Sequence, residues 1–115
     1  MSDDIVVLHK RAEVIMDTIY PTLRNYPKYE HGRLCNTLLN TCMELISLLG
    51  LAEHVKPKRL NYLQEAQSKL LFLKTLLDLS VGQQFISIEF HKGLFRSIST
   101  LNKGMIDILI NRKGR

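Results

Sequence analysis

Residues 58–80 read KRLNYLQEAQSKLLFLKTLLDLS. Leu63, Ala66, Leu70, Leu73 and Leu77 fall in it at intervals of 3, 4, 3 and 4. That is the period of a helix turning one face to a core. Leu71, Phe72, Leu76 and Leu79 spread apolar surface over most of the remaining circumference. A helix in a four-helix bundle keeps one side in water. The excess therefore predicts burial against another chain, with Leu71, Phe72, Leu76 and Leu79 as the expected oligomer interface.

On either side of this stretch the same period repeats. Leu8, Ala12, Ile15, Ile19 and Leu23 form one seam, and Leu34, Leu38, Cys42, Leu45 and Leu49 a second. Phe90, Leu94, Ile98, Leu101, Met105 and Ile108 form the last. Pro21 and Pro27 bracket one break, Pro57 marks another and Gly82 a third. Four helices are predicted, roughly over 5–24, 29–53, 58–80 and 84–111. Short connections between helices of this length predict an all-α, antiparallel up-down-up-down bundle in a single domain, residues 1–115. Gly93 and Gly104 lie eleven residues apart in the last helix and share a face, which predicts close approach of a neighbouring backbone there.

Composition narrows the class. The chain is 115 residues long, 45% hydrophobic and 23% charged. Those values exclude a collagen-like repeat, a disordered tail and a disulfide scaffold. Cys35 and Cys42, seven residues apart, would lie about 10 Å apart along a helix, too far for a disulfide. A reducing, cytoplasmic setting is expected. The opening MSDDIVVLHKR does not read as a secretory signal, and no uncharged apolar run reaches about 18 residues, so no membrane span is expected.

No Gly-x-Ser-x-Gly, Walker A or Gly-x-Gly-x-x-Gly motif is present. His31 and Cys35 could share a helix face, but two ligands make no metal site. Glu65 and Lys69 read as a surface i,i+4 pair. No catalytic residue, metal, cofactor or small-molecule substrate is expected, and the chain does not read as an enzyme. Arg24 and His31, six residues between them, resemble the Arg and His of HEPN-type ribonucleases. There an imidazole would move the proton and a guanidinium would hold the phosphate. Tyr20, Tyr26, Tyr29 and Tyr62 are expected to cover the ends of the core with their hydroxyls in water.

The formal net charge is +5 and the isoelectric point about 9.4. In an up-down-up-down bundle the start of the first helix, the second connection and the C-terminus share one end. That end collects Lys10, Arg11, Lys56, Lys58, Arg59, Arg112, Lys113 and Arg115, the expected nucleic-acid-binding residues.

Tyr20-Pro21, Tyr26-Pro27-Lys28 and His31-Gly32 lead into the leucine-rich second helix, and Gly104 precedes a closing Asn111-Arg112-Lys113-Gly114. This pattern resembles the accessory variability determinant (Avd) proteins of diversity-generating retroelements. They group with small four-helix-bundle proteins encoded in intervening sequences of bacterial 23S rRNA genes. Ile106 stands where that family commonly has a tryptophan, and the chain has none. The resemblance implies a homopentameric barrel with a basic surface. It implies a non-catalytic partner of a reverse transcriptase and of RNA or DNA, supporting mutagenic cDNA synthesis. The alternative that it leaves open is a stand-alone RNA-associated bundle of the intervening-sequence type.

Overall fold

The computed structural model describes the backbone of residues 2–113 and the side chains of residues 4–111. Four helices carry the chain: α1 (Ser2–Ile19), α2 (Lys28–His54), α3 (Arg59–Gly82) and α4 (Ile88–Lys113). No strand occurs among the described residues. The pairs α1–α2, α2–α3, α3–α4 and α4–α1 all pack, so the helices enclose one core. Ile5, Ile15, Leu38, Leu49, Leu63, Leu70, Leu101 and Met105 are among its fully buried side chains. Each contributes about 1.5–3 kcal/mol by leaving water.

The elbows explain where the helices stop. At Tyr20–Asn25 the chain tightens into a 3₁₀ helix, because Pro21 brings no N–H and its ring crowds the preceding turn. Tyr26 is extended (φ −71°, ψ 152°), as the residue before a proline must be. The first helix thus ends as an α-helix at Ile19, earlier than the seam predicts. Helix α2 begins at Lys28 and widens at once into a π turn over His31–Cys35. It is regular from Asn36 to His54. By length and composition α2 is long and apolar enough to cross a membrane, although Glu44 interrupts its uncharged run. In this fold its seam of Leu34, Leu38, Cys42, Leu45, Leu49 and Ala52 is spent on the core.

Helix α3 runs two residues past its predicted end. It closes in a Schellman motif: the Phe85 N–H donates to the Ser80 carbonyl (2.9 Å) and the Gln84 N–H to that of Val81 (3.0 Å). Gln84 takes the left-handed position, φ 63°, that such an ending requires. Ser87 then caps α4, its Oγ accepting the Phe90 N–H at 3.1 Å.

Three expectations change here. Leu76 is not an outward residue: it is 8% exposed and packs in the chain's own core. Leu71, Phe72 and Leu79 are open, at 52%, 46% and 49%. The seam broadens in the second half of α3, where Leu73, Leu76, Leu77 and Ser80 all turn inward. Tyr26 does not reach water either. Its ring packs on Phe85 (5.3 Å between centroids), and its hydroxyl is buried without a hydrogen-bond partner. Burial pushes its pKa up. Of the two glycines in α4, Gly104 is pressed against the Leu8 side chain, where a Cβ would collide. Gly93 has open space around it.

Candidate nucleic-acid interface

Lys10 and Arg11 stand exposed on α1, and Lys56 and Lys58 exposed on the 3₁₀ turn that joins α2 to α3. The first turns of α1 do meet the end of α2. His9 Nδ1 lies 3.1 Å from Glu53 Oε1, and His54 Nε2 lies 3.5 Å from the other Glu53 oxygen. Leu8 against Gly104 brings the second half of α4 to the same region. Arg112 and Lys113 close α4 in the backbone, but their side chains lie outside the described residues, as does all of Arg115.

Arg59 is a correction. It is 5% exposed, so it cannot reach a phosphate backbone. Its Nε–H donates to the Ala52 carbonyl (2.6 Å) and an Nη2–H to that of Glu53 (2.9 Å). Those carbonyls end α2 and lack helical donors, so the guanidinium caps them and opposes the negative end of the helix dipole. Arg59 fastens the α2–α3 elbow; Lys56 and Lys58 carry the exposed charge of that loop.

The residue order on α4 adds cations that the reading by bundle ends passes over. Lys92, Arg96 and Lys103 are exposed, spaced 4 and 7, and fall on one stripe opposite Leu94, Ile98, Leu101 and Met105. Arg11 and Val14 of α1 and Arg96, Ser97 and Thr100 of α4 line a cavity of ≈280 Å³ between the two helices, with no carboxylate in its walls. Lys10, Arg11, Lys92, Arg96 and Lys103 make no ion pair within 4 Å among the described residues.

Three further cations are spent within the chain, whereas Arg24 and Lys28 at the α1–α2 elbow make no ion pair among the described residues. Lys69 meets Glu44 across α2 and α3 at 3.0 Å, rather than its expected partner Glu65. Lys74 meets Asp78 at 2.9 Å, and Arg33 meets Glu30 at 3.9 Å. Most of the free positive charge therefore lies on the α1–α4 side and the neighbouring loop, with Arg24 and Lys28 apart from it at the α1–α2 elbow. Long, unpaired side chains beside serine and threonine hydroxyls suit a phosphate backbone read without regard to sequence. The signal lay in the i, i+4, i+11 spacing of Lys92, Arg96 and Lys103.

Arg24 and His31, though on different elements, line one cavity at the α1–α2 elbow. The His31 Nε2–H donates to the Tyr26 carbonyl at 3.0 Å. The Cys35 thiol points at the Leu23 carbonyl, 3.8 Å away. Cys35 and Cys42 are free and buried, and burial pushes both thiols up, Cys42 to about 12. Among the described residues no group of three or more His, Cys, Asp or Glu is placed to hold a metal ion.

Fold and surface together define a class: a small all-α, four-helix protein with a cation-rich face and a separate, exposed apolar helix face. A family model described as bAvd-like matches residues 6–110, and the chain belongs to that family. The resemblance carried by Tyr20-Pro21, Tyr26-Pro27-Lys28 and His31-Gly32 falls within the matched residues. No curated protein and no solved structure matches the chain.

Proposed function

We propose that this protein is a non-catalytic accessory subunit of a diversity-generating retroelement, working in the cytoplasm. It binds the reverse transcriptase and the template RNA or its cDNA, and supports mutagenic cDNA synthesis. Membership of the bAvd-like family over residues 6–110 carries the reading. The cations Lys10, Arg11, Lys92, Arg96 and Lys103, which make no ion pair among the described residues, support it, because a polyanion gains most from charges that are not already neutralised. The helices are read as an antiparallel up-down-up-down bundle, which the His9–Glu53 and Leu8–Gly104 contacts favour. The bundle assembles as a homopentamer. The exposed Leu71, Phe72 and Leu79 support association, and the number five comes from the family.

The test is cDNA synthesis by the co-encoded reverse transcriptase on its template RNA, with and without this protein. Error-containing cDNA that depends on the protein is expected. Equal yield and equal error rate from the polymerase alone would overturn the accessory reading. Binding to RNA with no affinity for the polymerase would replace it with the stand-alone alternative. The purified protein is expected to leave RNA intact; cleavage lost on His31→Ala would make it a ribonuclease.

A further inference from the structure

The elbow between α1 and α2 carries an open pocket of ≈490 Å³, within the roughly 300–1,000 Å³ of sites that take small organic groups. Its making is local. Pro21 tightens the end of α1 into a 3₁₀ helix, and the π turn at His31–Cys35 widens the start of α2. Single π turns inside α-helices recur at functional sites. Pro21, Leu23 and Leu39 give the cavity an apolar floor, and the Cys35 thiol beneath is turned to the Leu23 carbonyl.

The rim is different. Tyr20 stands 59% exposed beside the floor. Arg24 is exposed and has no carboxylate within 4 Å among the described residues. Glu30, the nearby acid, faces Arg33 instead. Asn36 offers an amide donor and an amide acceptor. His31 is held in one orientation by the Tyr26 carbonyl, which accepts from Nε2 and so leaves Nδ1 as a free acceptor in the neutral ring.

Three other cavities lack this combination. The one between α2 and α3 is walled by Glu44 and Glu65, and one beside α1 and α2 by Glu13 and Asp17. The α1–α4 cavity has Arg11 and Arg96 but no aromatic ring. An aromatic face, an apolar floor, an amide and one unpaired guanidinium, with no acid in the wall, match a base with a phosphate attached.

We infer that the elbow cavity receives one unstacked nucleotide of a single strand, its base on Tyr20 and the apolar floor and its phosphate on Arg24. The inference rests on the nucleic-acid reading above and assigns it a second kind of contact. The α1–α4 stripe would hold the backbone by charge, and the elbow would seat a single base.

The experiment titrates the full chain with 5′-AMP, adenosine and inorganic phosphate. Binding is followed by calorimetry and by the ring resonances of Tyr20 and His31. AMP is expected to bind and to shift both rings. Adenosine and phosphate alone should each bind about tenfold or more weakly, the loss expected from one charged hydrogen bond or one stacked base. Arg24→Gln should reduce AMP to the adenosine level with an unchanged unfolding midpoint. A Lys92/Arg96/Lys103→Gln variant should keep its AMP affinity while losing affinity for a long strand.

No ring shift with AMP, or equal AMP affinity in the wild type and Arg24→Gln, overturns the inference. Strand binding that persists in that case leaves the nucleic-acid reading standing. Ring shifts that appear only on adding the reverse transcriptase would make the elbow a protein-docking site, which also overturns it.

Discussion

The outer face of α3 and the groove between α1 and α4 are left open by the same helical period and are finished with opposite chemistry. On α3 the outward positions carry Leu71, Phe72 and Leu79, with Thr75 between them. On α4 they carry Lys92, Arg96 and Lys103, with Ser99 and Thr100. Lysines near α3 are neutralised within the chain, Lys69 by Glu44 and Lys74 by Asp78. Those of α4's outer stripe make no ion pair among the described residues. One face is thus prepared to lose water and the other to keep it. The difference teaches that association and polyanion binding need not compete for the same surface of so small a protein.

The sharpest way to break the comparison is to place one carboxylate on each side of the boundary between core and outer face. Leu76→Glu buries a charge in a filled core and should cost at least about 3 kcal/mol, enough to unfold a marginal domain. Leu71→Glu and Leu79→Glu should change the chain's own stability by no more than about 0.5 kcal/mol, since both sites face water. Light scattering should then find Leu76→Glu unfolded or aggregated. The Leu71→Glu/Leu79→Glu pair should be a folded chain of 13.3 kDa. A pair variant that keeps the wild-type mass shows that α3's outer face is not where copies meet.

Next in size is the loss of the α4 stripe. Lys92, Arg96 and Lys103 changed together to Gln should flatten the salt dependence of single-strand binding by about 0.7 log units per phosphate contact removed. Lys56→Gln with Lys58→Gln should flatten it less, with two charges lost instead of three. Filter binding across a salt series measures both slopes. If the loop pair has the larger effect, the bundle end outweighs the groove.

Arg59→Ala separates structural charge from binding charge. Removing the guanidinium leaves the Ala52 and Glu53 carbonyls without donors in a buried elbow. A loss of about 2–3 kcal/mol in urea unfolding is expected, with no change in the salt slope of strand binding. A reduced slope at unchanged stability would return Arg59 to the interface.

Arg59 also shows how far the sequence was legible. The four helices and the core residues of each seam could be read from spacing, because the period of a buried helix face is local information. The role of Arg59 could not, since its partners sit six and seven residues back across a turn whose path Pro57 only hints at. Leu76 escapes the five-residue seam because the core is broader at the end of α3, where Ile86 is buried and Phe85 packs against the same core beyond the Schellman turn. The stripe of Lys92, Arg96 and Lys103 is legible in its i, i+4, i+11 spacing, which shows by helix face and not by bundle end. The π turn leaves no mark in the hydrophobic period, so the pairing of Arg24 with His31 can be read from their spacing but the cavity that they line cannot.

The smallest effect lies on the border between the two faces. Asp78 accepts from Lys74 Nζ at 2.9 Å and from His91 Nε2 at 2.7 Å, tying the end of α3 to the start of α4. The Lys74 ammonium also sits 5.4 Å from the centre of the Phe95 ring. The hydrogen bonds from Lys74 and then His91 hold the Asp78 carboxyl below its ordinary 3.8. A folded-state pKa below the unfolded one stabilises the fold above the unfolded value, and that contribution is lost as pH falls through the folded one. The Asp78 side chain is 45% exposed, so solvent screening keeps the gain under about 1 kcal/mol. Asp78→Asn should therefore lower the urea midpoint slightly near pH 7. The gap to wild type should then narrow as pH falls below about 4, where the carboxylate of the wild type takes up its proton. Midpoints of both proteins at neutral and acid pH measure the gap directly. A gap of constant size would show that Asp78 acts on the α3–α4 border as a hydrogen-bond acceptor alone, with no charge-linked share in holding the two faces apart.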